Sequence, residues 1–253
     1  MELQSRLKQK GFSPGLIDGV FGPGTEAAVI AFQKSHGLLP DGVVGQRTAT
    51  ALGLSEEQVP EPPNIPDVTV SLASKMFPDA HLGNIAKYLP LVLNALEQQD
   101  LRTVPVVLAA LATIRAETAG FVPISEGISK FNTSPGGQPF DLYDHRSDLG
   151  NRGPTDGSDF RGRGFIQLTG RSNYERFGPI IGVSTLVAQP EQANDPGIAA
   201  HLLAAFIKAK EIAIKQALAD DDLTTARRLV NGGSHGLSQF TEAYRAGQRF
   251  LTI

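Results

Sequence analysis

The chain has 253 residues and a mass of 26.9 kDa, which is enough for two domains. Its hydrophobic fraction of 41% and charged fraction of 19% exclude a disordered chain and a coiled coil. A formal net charge of −3 argues against a protein that binds nucleic acid through bulk positive charge. Cysteine is absent, which excludes disulfides, thiolate metal sites and cysteine nucleophiles.

The amino terminus lacks the apolar region and the cleavage site of a signal peptide. The most apolar stretch, residues 104–114, has about half of the roughly 20 residues that a membrane-spanning helix needs. The sequence therefore predicts a protein that is made in the cytoplasm, does not insert into a membrane and needs another component for its release.

Residues 1–54 form a predicted small domain with an internal repeat. The sequence DGVFGPGT at residues 18–25 recurs as DGVVGQRT at residues 41–48. In each copy an Asp-Gly pair predicts a tight turn, and the final Thr is placed to cap a following helix. Apolar residues at helical spacing follow each copy, and Leu3 and Leu7 precede the first, with a stop at Gly11. This pattern predicts three helices.

A proline-rich segment, residues 55–67, separates the small domain from the rest of the chain. It contains four prolines, three glutamates and no basic residue, so the net negative charge lies here. Prolines fix φ and favour extended geometry, which predicts a semi-rigid linker. The predicted boundaries are 1–54, 55–67 and 68–253.

The large domain, residues 68–253, has a mostly helical pattern. Thr103 and Pro105 indicate a helix start, and apolar residues at helical spacing follow over 104–114. Further helices are predicted from Asp195-Pro196, over 224–230 and over 238–250. Residues 131–163 are rich in Gly, Pro, Asp and Ser without a period, which is typical of a long functional loop. Few segments alternate as strands do, so the predicted fold class is mainly α.

Two glutamates, Glu117 and Glu126, lie nine residues apart, the first at the end of the apolar helix and the second after a loop. A glycosidase needs a protonated carboxylic acid at the leaving oxygen and a second carboxylate across the sugar. Partial burial raises the pKa of one carboxyl, and a solvated loop leaves the other ionised. The pair is a candidate acid and base, with two unrelated surface carboxylates as the alternative.

A polar segment at residues 161–174 reads RGRGFIQLTGRSNY. In an extended conformation Phe165, Gln167 and Thr169 share one face. The glycines allow close approach, and amide and hydroxyl groups suit hydrogen bonds to sugar hydroxyl and acetamide groups. The Thr169 hydroxyl is a candidate for holding an attacking water. An edge strand with polar surface residues and an RNA-binding RGRG fragment are the alternatives.

The runs LQSRL and AVIAFQ and the two Asp-Gly repeats together resemble the peptidoglycan-binding module found on many wall hydrolases. This resemblance covers about residues 1–54. It implies a domain that binds the cell wall, has no chemistry of its own and takes peptidoglycan glycan strands as its partner.

Three blocks of the large domain read AETAGF…SEGISKFN, DFRGRGFIQLTGRSNY and ARRLVNGGSHGL. In this order they resemble glycoside hydrolase family 19, which includes chitinases and related phage endolysins. The resemblance covers roughly residues 100–250 and implies a lysozyme-like, mostly helical catalytic domain.

The resemblance also implies roles for the matched residues. Glu117 matches the general acid, and Glu126 matches the base that activates water in this inverting family. Thr169 matches the hydroxyl that positions the water, where many chitinases have Ser. The first block reads ETAG where E-[ST]-G-G is more usual. The residues implied to line the sugar cleft are Gln167, Asn173 and Asn231, the last of which also has the pattern of a helix stop before two glycines.

Tryptophan is absent, so Tyr174, Tyr143 or a Phe would have to stack on a sugar. Five arginines at positions 152, 161, 163, 171 and 176 make the polar segment locally basic. They either meet the anionic peptide stems of peptidoglycan or pair with the neighbouring carboxylates Asp156, Asp159 and Glu175. Pairing is the default interpretation.

We therefore expect a phage-type endolysin that hydrolyses β-1,4 bonds between amino sugars of peptidoglycan. It would act on the wall as a monomer after release through a holin-type pore, without nucleic acid, metal or cofactor. The five histidines show no metal-binding spacing, which disfavours a metal-dependent amidase. A chitinase and a lytic transglycosylase are the enzymatic alternatives. A non-catalytic wall-binding protein is disfavoured because both glutamates are present.

Overall fold

The computed structural model describes residues 1–36, 38, 40, 42, 44, 46–54, 68–231 and 235–251, and only the backbone of residues 46, 47, 50, 231 and 251. Within these ranges the chain is mainly helical, which confirms the predicted fold class. The predicted linker 55–67 and part of the second Asp-Gly repeat, including Asp41 and Gly45, lie outside the described residues. Two short antiparallel strands, β1 (Ile124–Ser125) and β2 (Arg163–Gly164), pair in the large domain.

The small domain contains α1 (Glu2–Gln9), α2 (Pro23–Ser35) and α3 (Gln46–Leu52). Their apolar positions meet in one core, which includes Leu3, Leu7, Ala28, Val29, Phe32, Ala49 and Leu52. The first Asp-Gly turn is attached to α1, because the Gly19 N–H donates to Gln4 Oε1 at 2.8 Å and Gln4 Nε2 donates to Asp18 Oδ1 at 2.9 Å. The expected cap is wrong: Gly22 precedes α2, and Thr25 is buried in its first turn without capping it.

The large domain begins with α4 (Val70–Met76) and α5 (Leu82–Gln98), and α6 (Val104–Thr118) leads to the two strands. The remaining helices are α7 (Asp156–Asp159), α8 (Arg171–Ile180), α9 (Pro196–Lys208), α10 (Glu211–Ala219), α11 (Leu223–Asn231) and α12 (Leu237–Leu251). Three 3-10 turns lie at Asp141–Tyr143, Ser147–Leu149 and Pro190–Asn194. Among the helices of the described ranges, none has the length and apolar character needed to cross a bilayer.

Helix α6 is the centre of the large domain. Every side chain from Val106 to Ile114 is buried, and α12, α4, α9, α10 and α11 pack around it. A helix that is apolar on all sides belongs in a core. The predicted helices from Asp195-Pro196, over 224–230 and over 238–250 correspond to α9, α11 and α12. The Asp195 carboxylate accepts hydrogen bonds from the Gly197 and Ile198 N–H groups and caps α9.

The segment 161–174 is not extended as expected. Only Arg163 and Gly164 form a strand, and the chain then turns so that Arg163 and Leu168 exchange backbone hydrogen bonds of 3.3 and 2.9 Å. Gln167 has a left-handed backbone with φ +50°, and α8 begins at Arg171. As a result Phe165 is buried together with its neighbours Ile166 and Leu168, and the predicted alternation of faces is wrong.

Helix α2 of the small domain packs near the amino end of α6 and on α10. Glu26 is 8% exposed, and its carboxyl faces Thr103 and Lys215 of the large domain. The Lys34 Nζ donates to Gln216 Oε1 across the same boundary. A mainly apolar cavity of about 260 Å³ lies between the small and the large domain. Its lining residues include Phe21, Pro23, Val104, Leu108 and Tyr244.

Candidate active site

Glu117 lies in the last turn of the central helix α6, where the buried helix reaches the surface. Its side chain is 10% exposed, and its Oε1 accepts a hydrogen bond of 2.7 Å from Nη2 of Arg227. Burial raises the pKa of Glu117, and the guanidinium of Arg227 opposes that increase. The protein environment therefore favours the protonated form of Glu117 more than bulk water does. The cation of Arg227 lies beside this carboxyl.

Arg227 is a fully buried residue of α11 that holds two parts of the chain together. Its Nε and Nη2 donate to the His235 carbonyl at 3.0 and 2.8 Å. Gly236 follows with φ +70°, and a methyl group there would lie 3.1 Å from Ala116 Cβ and 3.2 Å from Arg227 Nη2. Glycine thus allows residues 235–236 to pack directly on the end of α6. Arg227 belongs to the motif ARRLVNGGSHGL, and no role was predicted for it.

The chain leaves Glu117 through a strained turn. Ala119 and Phe121 both have positive φ, at +43° and +57°, which costs a non-glycine residue about 1 to 3 kcal/mol. Phe121 is fully buried, with its ring 4.6 Å from that of Phe77, so packing holds the turn in place. The turn redirects the chain from α6 into β1, and the second glutamate follows that strand.

Glu126 follows β1 and accepts three hydrogen bonds. Oε1 accepts from Asn132 Nδ2 at 2.9 Å and from the Tyr143 hydroxyl at 3.0 Å, and Oε2 accepts from the Gly162 N–H at 3.1 Å. Donors on both oxygens fix the orientation of the carboxylate. Its own N–H donates to the Gly162 carbonyl at 2.7 Å, which extends the β1–β2 pairing to this residue.

All three donors lie in the long loop 131–163. Asn132 is fully buried, and its Oδ1 accepts from the Ser129 N–H at 2.8 Å and from the Thr133 hydroxyl at 2.9 Å. Burial, followed by the proximity of Glu126, raises the pKa of Tyr143 to about 12, so the phenol remains a donor near neutral pH. Asn132 was not predicted, and Tyr143 was expected to stack on a sugar, whereas here it binds Glu126.

Thr169 and Gln167 lie beside Glu126 because Gly162 has no side chain. A methyl group at Gly162 would lie 2.9 Å from Gln167 Oε1, 3.2 Å from Thr169 Oγ1 and 3.3 Å from Glu126 Cβ. The structure therefore brings three predicted site residues together around this glycine. The Thr169 hydroxyl donates to the Gln167 carbonyl at 2.9 Å, which leaves its oxygen lone pairs as acceptors.

The amide groups of Gln167 and Asn173 stabilise the local backbone. Gln167 Nε2 donates to the carbonyls of Ile124 and Gly164 at 2.8 and 3.1 Å, and Asn173 Nδ2 donates to the Thr169 carbonyl at 2.7 Å. Asn194, which was not predicted, joins both strands: its Nδ2 donates to Ser125 Oγ, and its Oδ1 accepts from the Gly164 N–H.

Tyr174 cannot take the predicted stacking role in this structure. Its side chain is fully buried against Phe160, and its hydroxyl donates to the Arg161 carbonyl and accepts from Arg163 Nη1. A ring held in the core offers no face to a sugar. The side chain of Asn231, the other predicted cleft residue, lies outside the described residues.

Arg171 and Arg152 pair with neighbouring carboxylates, as the pairing interpretation predicts, whereas Arg161 and Arg163 donate to backbone carbonyls. Arg171 Nε donates to Asp156 Oδ2 at 2.9 Å, and Arg152 pairs with Glu175 at 3.0 Å. Arg163 donates to backbone carbonyls, among them that of Asp159 at 2.6 Å. Within the described ranges no three His, Asp or Glu side chains converge as they would around a metal ion.

Comparison with known proteins gives matches to the small domain. Residues 1–52 match the family described as "Putative peptidoglycan binding domain". The spore cortex-lytic enzyme of Bacillus cereus is 52% identical over 52 residues, which are 21% of this chain and 20% of that protein. The spore cortex-lytic enzyme of Bacillus subtilis is 49% identical over 53 residues, 21% of this chain and 17% of that protein.

The N-acetylmuramoyl-L-alanine amidase CwlM of Mycobacterium tuberculosis is 44% identical over 50 residues, 20% of this chain and 12% of that protein. The chain thus spans a fifth or less of the length of these curated relatives. The relatives are enzymes of cell-wall lysis by name, and the matched length is that of the small domain. Residues 1–52 are therefore a peptidoglycan-binding domain.

Proposed function

We propose that the large domain hydrolyses β-1,4 bonds between amino sugars of peptidoglycan by an inverting mechanism. The observation that supports this proposal best is the difference between the two carboxyl environments. Glu117 is buried and its pKa is raised, whereas Glu126 accepts three hydrogen bonds beside the Thr169 hydroxyl. Opposite environments of this kind divide the roles of acid and base in glycosidases.

In the proposed mechanism Glu117 is the general acid. Its Oε1 accepts from Arg227, so Oε2 carries the proton that passes to the oxygen of the leaving sugar. The carboxyl becomes negative as the glycosidic C–O bond breaks. The buried guanidinium of Arg227 then lies beside the new charge and stabilises it.

Glu126 is the general base, and Thr169 positions the water. The Thr169 proton is directed at the Gln167 carbonyl, so the hydroxyl oxygen accepts one proton of the water while Glu126 accepts the other. The water oxygen bonds to the anomeric carbon as the leaving group departs, and Glu126 takes the released proton. One water is consumed for each bond cleaved, and Glu117 and Glu126 return to their starting states by exchanging protons with solvent.

The peptidoglycan-binding domain supplies proximity. When residues 1–52 are bound to the wall, the linked large domain meets its polymer at a high effective concentration. This accounts for a binding domain that lies apart from the two glutamates.

The test uses three full-length variants, Glu117→Gln, Glu126→Gln and, as control, Glu97→Gln on the exposed surface of α5. We expect loss of peptidoglycan digestion in the first two, with wall binding and the control unchanged. Mass spectrometry of the wild-type products must show the addition of one water per cleavage. Anhydro-sugar products would favour a transglycosylase, and faster turnover of chitin oligomers would favour a chitinase. Near-full activity of Glu117→Gln would refute the assignment of the acid.

A further inference from the structure

The most exposed aromatic ring among the described residues belongs to Phe131, which is 76% exposed. It lies on the same loop as the proposed base, five residues after Glu126. The neighbouring Ile128 is 66% exposed, and Leu142 and Ile124 are 45% and 42% exposed. We call these four residues the loop patch. Ile128 and Phe131 follow Glu126 in the chain, Ile124 belongs to β1, and Leu142 belongs to the turn Asp141–Tyr143. Exposed apolar side chains that cluster mark an interaction site more often than scattered ones do.

The loop patch is connected to Glu126 by short hydrogen-bonded paths. Asn132, the neighbour of Phe131, donates to Glu126 Oε1 at 2.9 Å, and its carbonyl accepts from the Leu142 N–H at 3.3 Å. The Ile124 carbonyl accepts from Gln167 Nε2 at 2.8 Å. The backbone that carries these side chains is thus tied to Glu126 and to its neighbour Gln167.

The loop that carries Phe131 is tied down by its own hydrogen bonds. The Phe131 N–H donates to Ser129 Oγ at 3.3 Å, the Ser134 N–H donates to Asp141 Oδ1 at 2.7 Å, and the Phe140 N–H donates to Thr133 Oγ1 at 3.0 Å. Most other phenylalanines are buried in the two cores, and exposed Phe250 lies under the ammonium of Lys75 at 4.0 Å. The loop that carries Phe131 is thus ordered, and the Lys130 ammonium lies 5.2 Å from the centroid of its exposed ring.

We propose that Phe131, with Ile128 and Leu142 beside it, forms the platform on which a saccharide ring next to the cleaved bond stacks. A pyranose ring presents an apolar face of C–H groups and a rim of hydroxyl and acetamide groups. The loop patch offers the matching apolar surface, and the polar groups of Glu126, Tyr143 and Gln167 adjoin it. Sites that bind small polar ligands combine these two kinds of surface.

Other occupants fit the loop patch less well. A stable contact with a second copy buries about 800 Å² on each partner, far more than four side chains provide. The inference rests on the proposed function, because a saccharide is expected here only if Glu126 acts on one. It adds a binding residue that the sequence motifs did not indicate.

The test compares Phe131→Ala, Phe131→Tyr and the control Phe250→Ala in the full-length protein. The substrate is a soluble tetrasaccharide of alternating N-acetylglucosamine and N-acetylmuramic acid. We expect Phe131→Ala to raise KM about tenfold with kcat little changed, and Phe131→Tyr, which keeps the ring, to stay within about twofold of the wild type. Phe250→Ala is expected to match the wild type.

A second measurement separates this inference from the proposed function. In the Glu126→Gln background, hydrogen exchange with and without the same tetrasaccharide reports binding without catalysis. We expect protection of the amides of residues 126–143 that is lost when Phe131→Ala is added. Unchanged KM or unchanged protection in Phe131→Ala would overturn the platform, even if the carboxylate assignments hold. Residual hydrolysis by Glu126→Gln would contradict the proposed base and leave the protection experiment valid.

Discussion

The pairing of Arg227 with Glu117 gives the most direct test of the electrostatics of the candidate site. Arg227 is fully buried, and it donates to Glu117 Oε1 and to the His235 carbonyl. Arg227→Met keeps much of the side-chain length but leaves a buried carboxylate without its cation. Removing one partner of a buried ion pair costs about 3 to 5 kcal/mol. Part of this, about 1 kcal/mol for each hydrogen bond, comes from the lost contacts with His235.

A double-mutant cycle separates these contributions. In the Glu117→Gln background, Arg227→Met leaves no buried charge behind and removes the unpaired guanidinium, so it should cost at most about 1 to 3 kcal/mol there, the value of the lost hydrogen bonds. The free energy of unfolding is measured by urea denaturation at pH 7.5 for all four proteins. Arg146→Met, which removes the exposed pair with Asp148, is the control and should cost below about 1 kcal/mol. Equal costs of Arg227→Met in both backgrounds would refute the reasoning.

Loss of Arg227 also changes the expected pH dependence of activity. Burial raises the pKa of Glu117 and the guanidinium lowers it, so removing the guanidinium raises the pKa further. The acid must be protonated, and activity therefore falls as pH rises through that pKa. We expect the alkaline limb of kcat in Arg227→Met to move to higher pH, and a shift to lower pH would contradict the assignment of Glu117 as the acid.

Three further substitutions test other contacts. Tyr143→Phe removes one of the three donors to Glu126. In steady-state kinetics it should lower kcat about tenfold and leave KM nearly unchanged. An effect on KM alone would count against a role of Tyr143 in orienting the base. Gly162→Ala places a methyl group 2.9 Å from Gln167 Oε1 and should reduce peptidoglycan digestion about a hundredfold without affecting wall binding, and wild-type activity would show that the close approach is unimportant. Burial raises the pKa of Glu26, and the charge of Lys215 opposes this increase. Glu26 therefore favours the folded state at low pH, where its carboxyl is protonated. This contribution to the free energy of unfolding is lost as the pH rises through the raised pKa. Glu26→Gln should flatten the decline in the free energy of unfolding between pH 5 and 8, and unchanged slopes would argue against a buried carboxyl.

The sequence predicted the elements that depend on local patterns. Apolar spacing around Val107, Leu108 and Leu111 indicates α6, and Asp195-Pro196 indicates the start of α9, because a helix needs one apolar side and a capped end. It also predicted that Glu126 and Thr169 belong together. Helices α4, α5, α7, α8 and α10 were not predicted, and of these α5 and α8 contain an internal proline, at Pro90 and Pro179.

The sequence did not predict the contacts that orient the site. Arg227 and Glu117 are 110 positions apart, and no periodicity links an ion pair across that separation. The turn at Gln167 was read as a strand, because its positive φ is usually adopted by glycine and the alternation of polar and apolar residues fits a strand. Tyr174 was a stacking candidate because tryptophan is absent, but its place on the inner side of α8 depends on the packing of Phe160 and Arg163.

The position of α2 near the amino end of α6 has a consequence for how the protein would work on a polymer. Glu117 lies at the other end of this helix, and 15 residues at 1.5 Å each separate the two ends by about 22 Å. On the proposed function, the bond cleaved at Glu117 therefore lies about that distance from the place where α2 packs on the large domain. If the proposed function holds, cleavage at that distance would leave the small domain attached, and one bound molecule would cut several bonds within its reach before it dissociates.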